Sequence, residues 1–151
     1  MIASIKWSVD DYHLMVQSGV LNNRACELIE GEIVESHPIT LDNSEPEPDI
    51  AVVRLPSSIY HQHHPYAEDI YWLIEVSRRS LTKDLEIKTI TYARNGIMEY
   101  WVVDLNNKQV IVHTQPDRDR YLQTVTYQSG IITPQAFSDC QISLDKILLN
   151  F

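Results

Sequence analysis

The chain has 151 residues, 44% hydrophobic and 22% charged, and we expect a single globular domain over 1–151. A net charge of −9 excludes a nucleic-acid binder that relies on overall positive charge, but not a nuclease, whose metal ligands are themselves acidic. No apolar run nears the roughly 18 residues of a membrane span. The amino terminus lacks a signal pattern, and the isolated Cys26 and Cys140 predict buried free thiols, so we expect a cytoplasmic protein.

The predicted elements follow the order of an α+β or α/β domain with a mixed β-sheet flanked by helices. In chain order they are a helix over 9–18, a hairpin of 26–29 and 32–35, a loop over 37–48, strands over 49–54 and 70–77, a helix over 82–95, a hairpin of 99–104 and 109–113, strands near 121–127 and 140–143, and a helical turn over 144–149. The strands over 49–54 and 70–77 are almost continuously apolar. This pattern predicts that both lie in the centre of a sheet covered on both faces.

Two acidic residues stand at the ends of these apolar strands. Asp49 begins the first strand, and Glu75 lies near the end of the second, between Ile74 and Val76. Glutamate is almost never buried in such a place without a partner, a proton or a metal ion. Each carboxylate also has a simpler interpretation. Asp49 could be solvated at the rim of the sheet, and Glu75 could lie on an exposed face just past the buried part of its strand.

Lys88 lies on the apolar face of the helix over 82–95. One stripe of that helix carries four residues at spacings of four, three and four positions, namely Leu81, Leu85, Lys88 and Tyr92. We therefore expect the Lys88 amine at the end of the sheet beside Glu75. The amine could instead turn to water or pair with Asp84 four residues earlier. Ile87 and Ile90 lie on the opposite side, where another segment or a second subunit could cover them.

Two carboxylates and an amine at one sheet edge suit the hydrolysis of a phosphodiester. Asp49 and Glu75 on adjacent strands can hold a hard divalent cation through oxygen ligands. Such a cation lowers the pKa of a bound water and neutralises charge on the phosphate oxygens. The Lys88 ammonium can position the water or stabilise the developing charge. These three residues therefore predict metal-dependent phosphodiester cleavage.

Five blocks of the sequence resemble, in the same order, those of the Uma2 family, formerly DUF820. The blocks are Cys26–Val34, Pro48–Val52, Leu73–Ser77, Asp84 with Lys88 and Tyr92, and Gly96–Asp104. The resemblance covers nearly the whole chain. The family is abundant in cyanobacteria and is assigned to the PD-(D/E)XK nuclease superfamily. The resemblance therefore implies a restriction-endonuclease-like mixed sheet and a DNA endonuclease.

Site residues follow from this resemblance residue by residue. It implies that Asp49 and Glu75 are ligands of Mg²⁺, which Mn²⁺ could replace, and that Lys88 is the catalytic amine. The superfamily usually has lysine two residues after the glutamate, but Ser77 stands there, so the amine would come from the following helix. Glu27 in the first hairpin is a candidate supporting acid. DNA is the implied substrate, and we expect a homodimer.

Two other functions stay open. Family members carry some tens of residues between the hairpin and the Pro-Asp motif, whereas here Pro38 is followed by nine residues before Pro48. The chain could therefore be a catalytically degenerate scaffold that acts through dimerisation. The group His61, His63 and His64 could bind zinc, but no cysteine or acid lies close in sequence to complete a tetrahedral set. A polar loop is the better-supported interpretation of these histidines.

Overall fold

The structure is a computed structural model that describes residues 8–21, 26–29, 32–35, 38–77 and 83–149. Within these ranges it does not describe the side chains of residues 26–29, 32–35, 57, 83 and 84. The chain divides into two compact units, residues 1–38 and 39–151. None of the helices in the described ranges has the length and apolar character needed to cross a membrane.

The first unit contains helix α1 (Val9–Gln17) and a hairpin of strands β1 (Cys26–Ile29) and β2 (Glu32–Glu35), as predicted. Ser8 begins the helix because its hydroxyl accepts from the Asp11 backbone N–H at 3.1 Å. The Asp11 carboxylate in turn accepts from the Ser8 backbone N–H at 3.0 Å, which completes a capping box.

As far as it is described, the second unit has a five-stranded mixed sheet, two α-helices, two short 3-10 helices and a small two-stranded sheet. Its strands and α-helices are β3 (Ile50–Val53), β4 (Ile70–Ser77), α2 (Lys83–Arg94), β5 (Glu99–Asp104), β6 (Gln109–Asp117), β7 (Arg120–Tyr127), β8 (Ile131–Ile132), β9 (Ile142–Ser143) and α3 (Leu144–Leu148), and its 3-10 helices are Ser57–His61 and Ala67–Asp69. The strand order in the sheet is β3-β4-β5-β6-β7. Only the β4–β5 pair is parallel in this sheet as described, and α2 connects those two strands. The predicted α+β fold with a mixed sheet is confirmed.

Each face of the sheet carries its own hydrophobic core. The α2 side buries Leu73, Tyr92 and Tyr100, none of which has exposed surface. The opposite side buries Trp72 and Trp101 against the carboxy-terminal segment that includes α3. Because β4 and β5 contribute to both cores, their sequences are apolar at nearly every position.

Two sequence predictions about burial are wrong. β3 is not central but lies at one edge of the five-stranded sheet as described, and Ile50 is 48% exposed. A strand of four apolar residues can pack against the core on part of its surface only. Its composition therefore does not show whether the strand lies at the edge or in the centre of a sheet. Cys140 is a free thiol but exposed, because it follows the polar turn residues Ser138 and Asp139 rather than lying in a strand. The Cys26 side chain lies outside the described part of the structure.

Glu99 is a buried carboxylate at the start of β5, with 1% of its surface exposed. The Trp101 indole N–H donates to its Oε1 at 2.7 Å, and the Gln135 backbone N–H donates to its Oε2 at 2.7 Å. Burial raises the pKa of Glu99 above its usual 4.5, and the two hydrogen bonds oppose that rise without cancelling it. The folded state therefore holds a proton on Glu99 more tightly than the unfolded chain does.

We expect the free energy of unfolding to fall as the pH rises from 4.5 through the raised folded-state pKa of Glu99. Over that interval the folded state binds more protons than the unfolded state, so deprotonation favours unfolding. Urea titrations across this pH range should show a shallower dependence for Glu99→Gln than for the wild type. Asp139→Asn, which changes an exposed carboxylate, is the control and should keep the wild-type dependence. An unchanged dependence in Glu99→Gln would contradict this assignment.

Candidate active site

Asp49 lies just before β3, at the end of the sheet where β4 finishes. Ile50 pairs with Ile74 in the antiparallel β3–β4 ladder. Asp49, one residue before Ile50, and Glu75, one residue after Ile74, therefore lie next to each other at that end of the sheet. The backbone N–H of Val76 donates to Asp49 Oδ2 at 2.7 Å. Asp49 is exposed, as its simpler interpretation required, but this hydrogen bond fixes its carboxylate against the end of β4.

Glu75 is buried on the α2 side of the sheet, with 5% of its surface exposed. The Lys88 ammonium donates to Glu75 Oε1 at 2.8 Å, and the Tyr92 hydroxyl donates to the same oxygen at 3.0 Å. The interpretation that Glu75 lies on an exposed face is therefore wrong. The Lys88 amine does not turn away to water either. Neither of these two donors engages Oε2 of Glu75.

Burial dominates the electrostatics of Glu75. It raises the pKa of Glu75, and the nearby Asp49 charge raises it further, while Lys88 and Tyr92 act in the opposite direction without cancelling the rise. Glu75 and Asp49 come from paired strands, next to the Ile50–Ile74 pair. Carboxylate oxygens are the ligands that Mg²⁺ prefers, so these two side chains fit as part of the ligand set of such an ion.

Helix α2 delivers Lys88 and Tyr92 to Glu75 because they are four residues apart on one face. The helix ends at Arg94, and the chain turns away at Gly96, whose φ of 72° suits glycine, while the Ile97 N–H donates to the Tyr92 carbonyl at 3.0 Å. Ile87 is 55% and Ile90 is 41% exposed, and Ile90 lines a groove between α2 and strands β5 to β7. The Asp84 side chain, an alternative partner for Lys88, lies outside the described part.

Two tyrosine hydroxyls near Glu75 were not predicted. The sequence places Tyr92 on the apolar stripe of α2, and its spacing from Lys88 was the only signal that it could reach the same carboxylate. Tyr100 packs edge-to-face on Tyr92 with ring centroids 4.9 Å apart, and burial and the Glu75 charge both raise its pKa. Its buried hydroxyl has no hydrogen-bond partner among the described residues. The hydroxyl of Thr89, a neighbour of Tyr100, donates to the Leu85 carbonyl at 2.7 Å rather than to Tyr100.

Glu27 lies in β1 of the first unit, opposite Val34, and its side chain is outside the described part of the structure. Its role as a supporting acid stays a prediction.

The histidine loop does not gather metal ligands. Nδ1 of His63 donates to the His64 carbonyl at 2.8 Å, and the His63 ring stacks on Tyr66 with centroids 4.7 Å apart. Among the described residues, no group of three or more histidine, cysteine, aspartate or glutamate side chains lies close enough to hold an ion. His63 therefore serves the packing of the loop. At the Asp49–Glu75 pair, waters and phosphate oxygens would have to complete the shell of a cation.

A groove of about 520 Å³ lies along α2 and faces β5 to β7. Leu85, Ile90, Val102 and Ile111 make much of its lining apolar. Asp49, Glu75 and Lys88 do not line it. The candidate active site is therefore the cluster of Asp49, Glu75 and Lys88 at the end of the sheet, and not this groove.

Comparisons with known proteins agree with this description. The Uma2 family model, described as "Putative restriction endonuclease", matches residues 20–145. The chain is also similar to a crystal structure of "a putative nuclease belonging to DUF820" from Anabaena variabilis ATCC 29413. That likeness has a TM-score of 0.55 and 15% sequence identity, and it covers 82% of this chain and 89% of the other. At this identity the likeness shows the fold alone. No curated protein matches the sequence.

Proposed function

The chain belongs to the Uma2 family, and on that premise we propose that it is a Mg²⁺-dependent DNA endonuclease that hydrolyses phosphodiester bonds. The observation that carries the proposal is the Lys88 ammonium at 2.8 Å from a buried Glu75 carboxylate, beside Asp49 at the same sheet edge. Mn²⁺ is expected to replace Mg²⁺, because both accept oxygen ligands. The isolated Cys26 and Cys140 favour a reducing cytoplasm as the setting.

Each residue has a distinct part in this proposal. Asp49 and Glu75 would hold the cation, with Asp49 oriented by the Val76 N–H and Glu75 oriented by Lys88 and Tyr92. When bound, Mg²⁺ supplies positive charge to the phosphate oxygens and lowers the pKa of a coordinated water. The Lys88 side chain is 32% exposed, so its amine can turn from Glu75 to negative charge that develops on a bound phosphate.

The acidity of the whole protein bears on how DNA would bind. With a net charge of −9, the protein repels phosphates at long range. Binding at the site would therefore depend on the divalent cation and on local amines such as Lys88. We therefore expect DNA to bind weakly in the absence of the metal, and we expect the cleavage rate to depend on the concentration of added salt.

Asp49→Ala is expected to lower the rate of supercoiled-plasmid cleavage in Mg²⁺ by roughly 100-fold or more, because a metal ligand is lost. Asp49 is exposed, so the variant should fold, which circular dichroism would check. Asp139→Ala removes another exposed aspartate, from the turn between β8 and β9, and should cleave at the wild-type rate. Equal rates for Asp49→Ala and the wild type would overturn the proposed site.

The second candidate is a degenerate scaffold that acts as a homodimer. The exposed Ile87 and Ile90 of α2 favour it, because apolar side chains at 55% and 41% exposure suit a subunit contact. Absence of cleavage by the wild type in Mg²⁺ and Mn²⁺, together with a dimer mass in light scattering that Ile87→Glu abolishes, would support this function. A monomeric, active wild type would exclude it.

A further inference from the structure

We propose that Tyr92 is a positioning residue that keeps the Glu75 carboxylate in place for a cation while Lys88 is released to the substrate. This inference rests on the proposed function, because it concerns how the same site binds metal. Its starting point is that two chemically different donors, an ammonium and a phenol, reach the same oxygen, Oε1 of Glu75, at 2.8 and 3.0 Å.

The two donors differ in their freedom to move. The Lys88 side chain is 32% exposed and ends a flexible chain of methylenes, so it can exchange Glu75 for a partner in solvent. Tyr92 has no exposed surface and packs edge-to-face on Tyr100 at 4.9 Å. A ring enclosed in a close-packed core keeps its position when a neighbour at the surface moves. Tyr92 is therefore the donor that remains.

The two donors also differ in charge. The Lys88 ammonium repels a divalent cation that approaches Glu75, since two positive charges a few ångströms apart interact unfavourably. The Tyr92 hydroxyl is neutral and orients the carboxylate without that repulsion. Metal binding therefore favours a state in which Lys88 has moved toward the substrate and Tyr92 still holds Oε1.

Asp49, like Glu75, accepts a hydrogen bond from a fixed and neutral donor. Asp49 Oδ2 accepts from the backbone N–H of Val76 at 2.7 Å, a donor that is fixed by the strand and carries no net charge. Each carboxylate thus has one oxygen engaged by a fixed, neutral donor. Hydrogen bonds of this kind from the residues behind metal ligands set the orientation and affinity of a metal site.

The test measures the Mn²⁺ dissociation constant of the full chain by isothermal titration calorimetry. Tyr92→Phe should weaken Mn²⁺ binding by about 10- to 100-fold, the usual effect of losing such a supporting hydrogen bond. Tyr121→Phe is the matched control, because Tyr121 lies in the same core and donates to the Ile97 carbonyl at 2.8 Å, away from Glu75. It should lose similar stability but bind Mn²⁺ as the wild type does. Lys88→Met should not weaken Mn²⁺ binding, because it removes a competing charge.

Asp49→Ala separates the inference from the proposed function. If Asp49→Ala loses Mn²⁺ while Tyr92→Phe and Tyr121→Phe bind it equally well, Tyr92 only packs the core and the inference is overturned. If Asp49→Ala binds Mn²⁺ like the wild type, the proposed metal site itself fails and the inference falls with it. Weaker binding in Lys88→Met than in Tyr92→Phe would assign the positioning role to Lys88. Urea midpoints and circular dichroism verify that each variant is folded.

Discussion

Lys88→Met is expected to lower the rate of plasmid cleavage by about 100- to 1000-fold, the usual effect of removing one group that stabilises transition-state charge. Methionine keeps much of the packing of the lysine stem but carries no amine. The Glu75 carboxylate would then keep only Tyr92 as a donor among the described residues, and its pKa would rise further. Initial rates across a pH series measure both effects, at a Mn²⁺ concentration below saturation so that a proton can compete with the cation for Glu75. The loss of rate should then be greatest at low pH, where Glu75 takes up a proton.

The control for this variant is Arg94→Met, which removes an exposed cation from the same helix. It should change cleavage by no more than about twofold, because exposed charges are screened by salt and solvent. Equal losses in the two variants would mean that α2 contributes only general positive charge. Cleavage by Lys88→Met at the wild-type rate would remove Lys88 from the chemistry.

Trp101→Ala is expected to lower the free energy of unfolding by about 3–5 kcal/mol. The side chain is 1% exposed and packs edge-to-face on Trp72 with centroids 4.5 Å apart, so its removal leaves a large cavity. It also removes the indole N–H that donates to Glu99, which leaves a buried carboxylate with one donor fewer. Because small domains are stable by about 5–15 kcal/mol in total, this single change would remove a large share of the stability.

Denaturation followed by circular dichroism measures this loss. Leu122→Ala is the comparison, because Leu122 is an apolar side chain in β7 that is 58% exposed. It should cost less than about 0.5 kcal/mol. A similar cost for the two variants would contradict the assignment of Trp101 to a packed core.

The long elements of the fold could be predicted from the sequence because their periods are strong. α2 follows a stripe that repeats every three to four residues, and β4 and β5 are apolar runs bounded by turn residues. The position of β3 at the sheet edge could not be predicted, since a short apolar run carries no information about its neighbours. The two-residue strand β8 was missed because it is shorter than any periodic signal.

The positions of candidate site residues could be predicted only where the pattern of a single helix or strand determines them. The stripe on α2 placed Lys88 toward the sheet, and the polar interruption marked Glu75. The hydroxyl contact of Tyr92 and the unpartnered hydroxyl of Tyr100 depend on how α2 and β5 pack together, which no local pattern encodes. Likewise Glu99 finds its Gln135 partner 36 residues away, and nothing near Glu99 in sequence indicates it.

The parallel pairing of β4 and β5 through α2 makes most of the site local in sequence. Glu75 meets Lys88 after 13 residues and Tyr92 after 17, all within one strand–helix–strand segment. A centre built from one such segment keeps its internal geometry when the chain gains or loses length elsewhere. The Glu75–Lys88–Tyr92 cluster is therefore formed within residues 70–104, and Asp49 joins it from outside that segment.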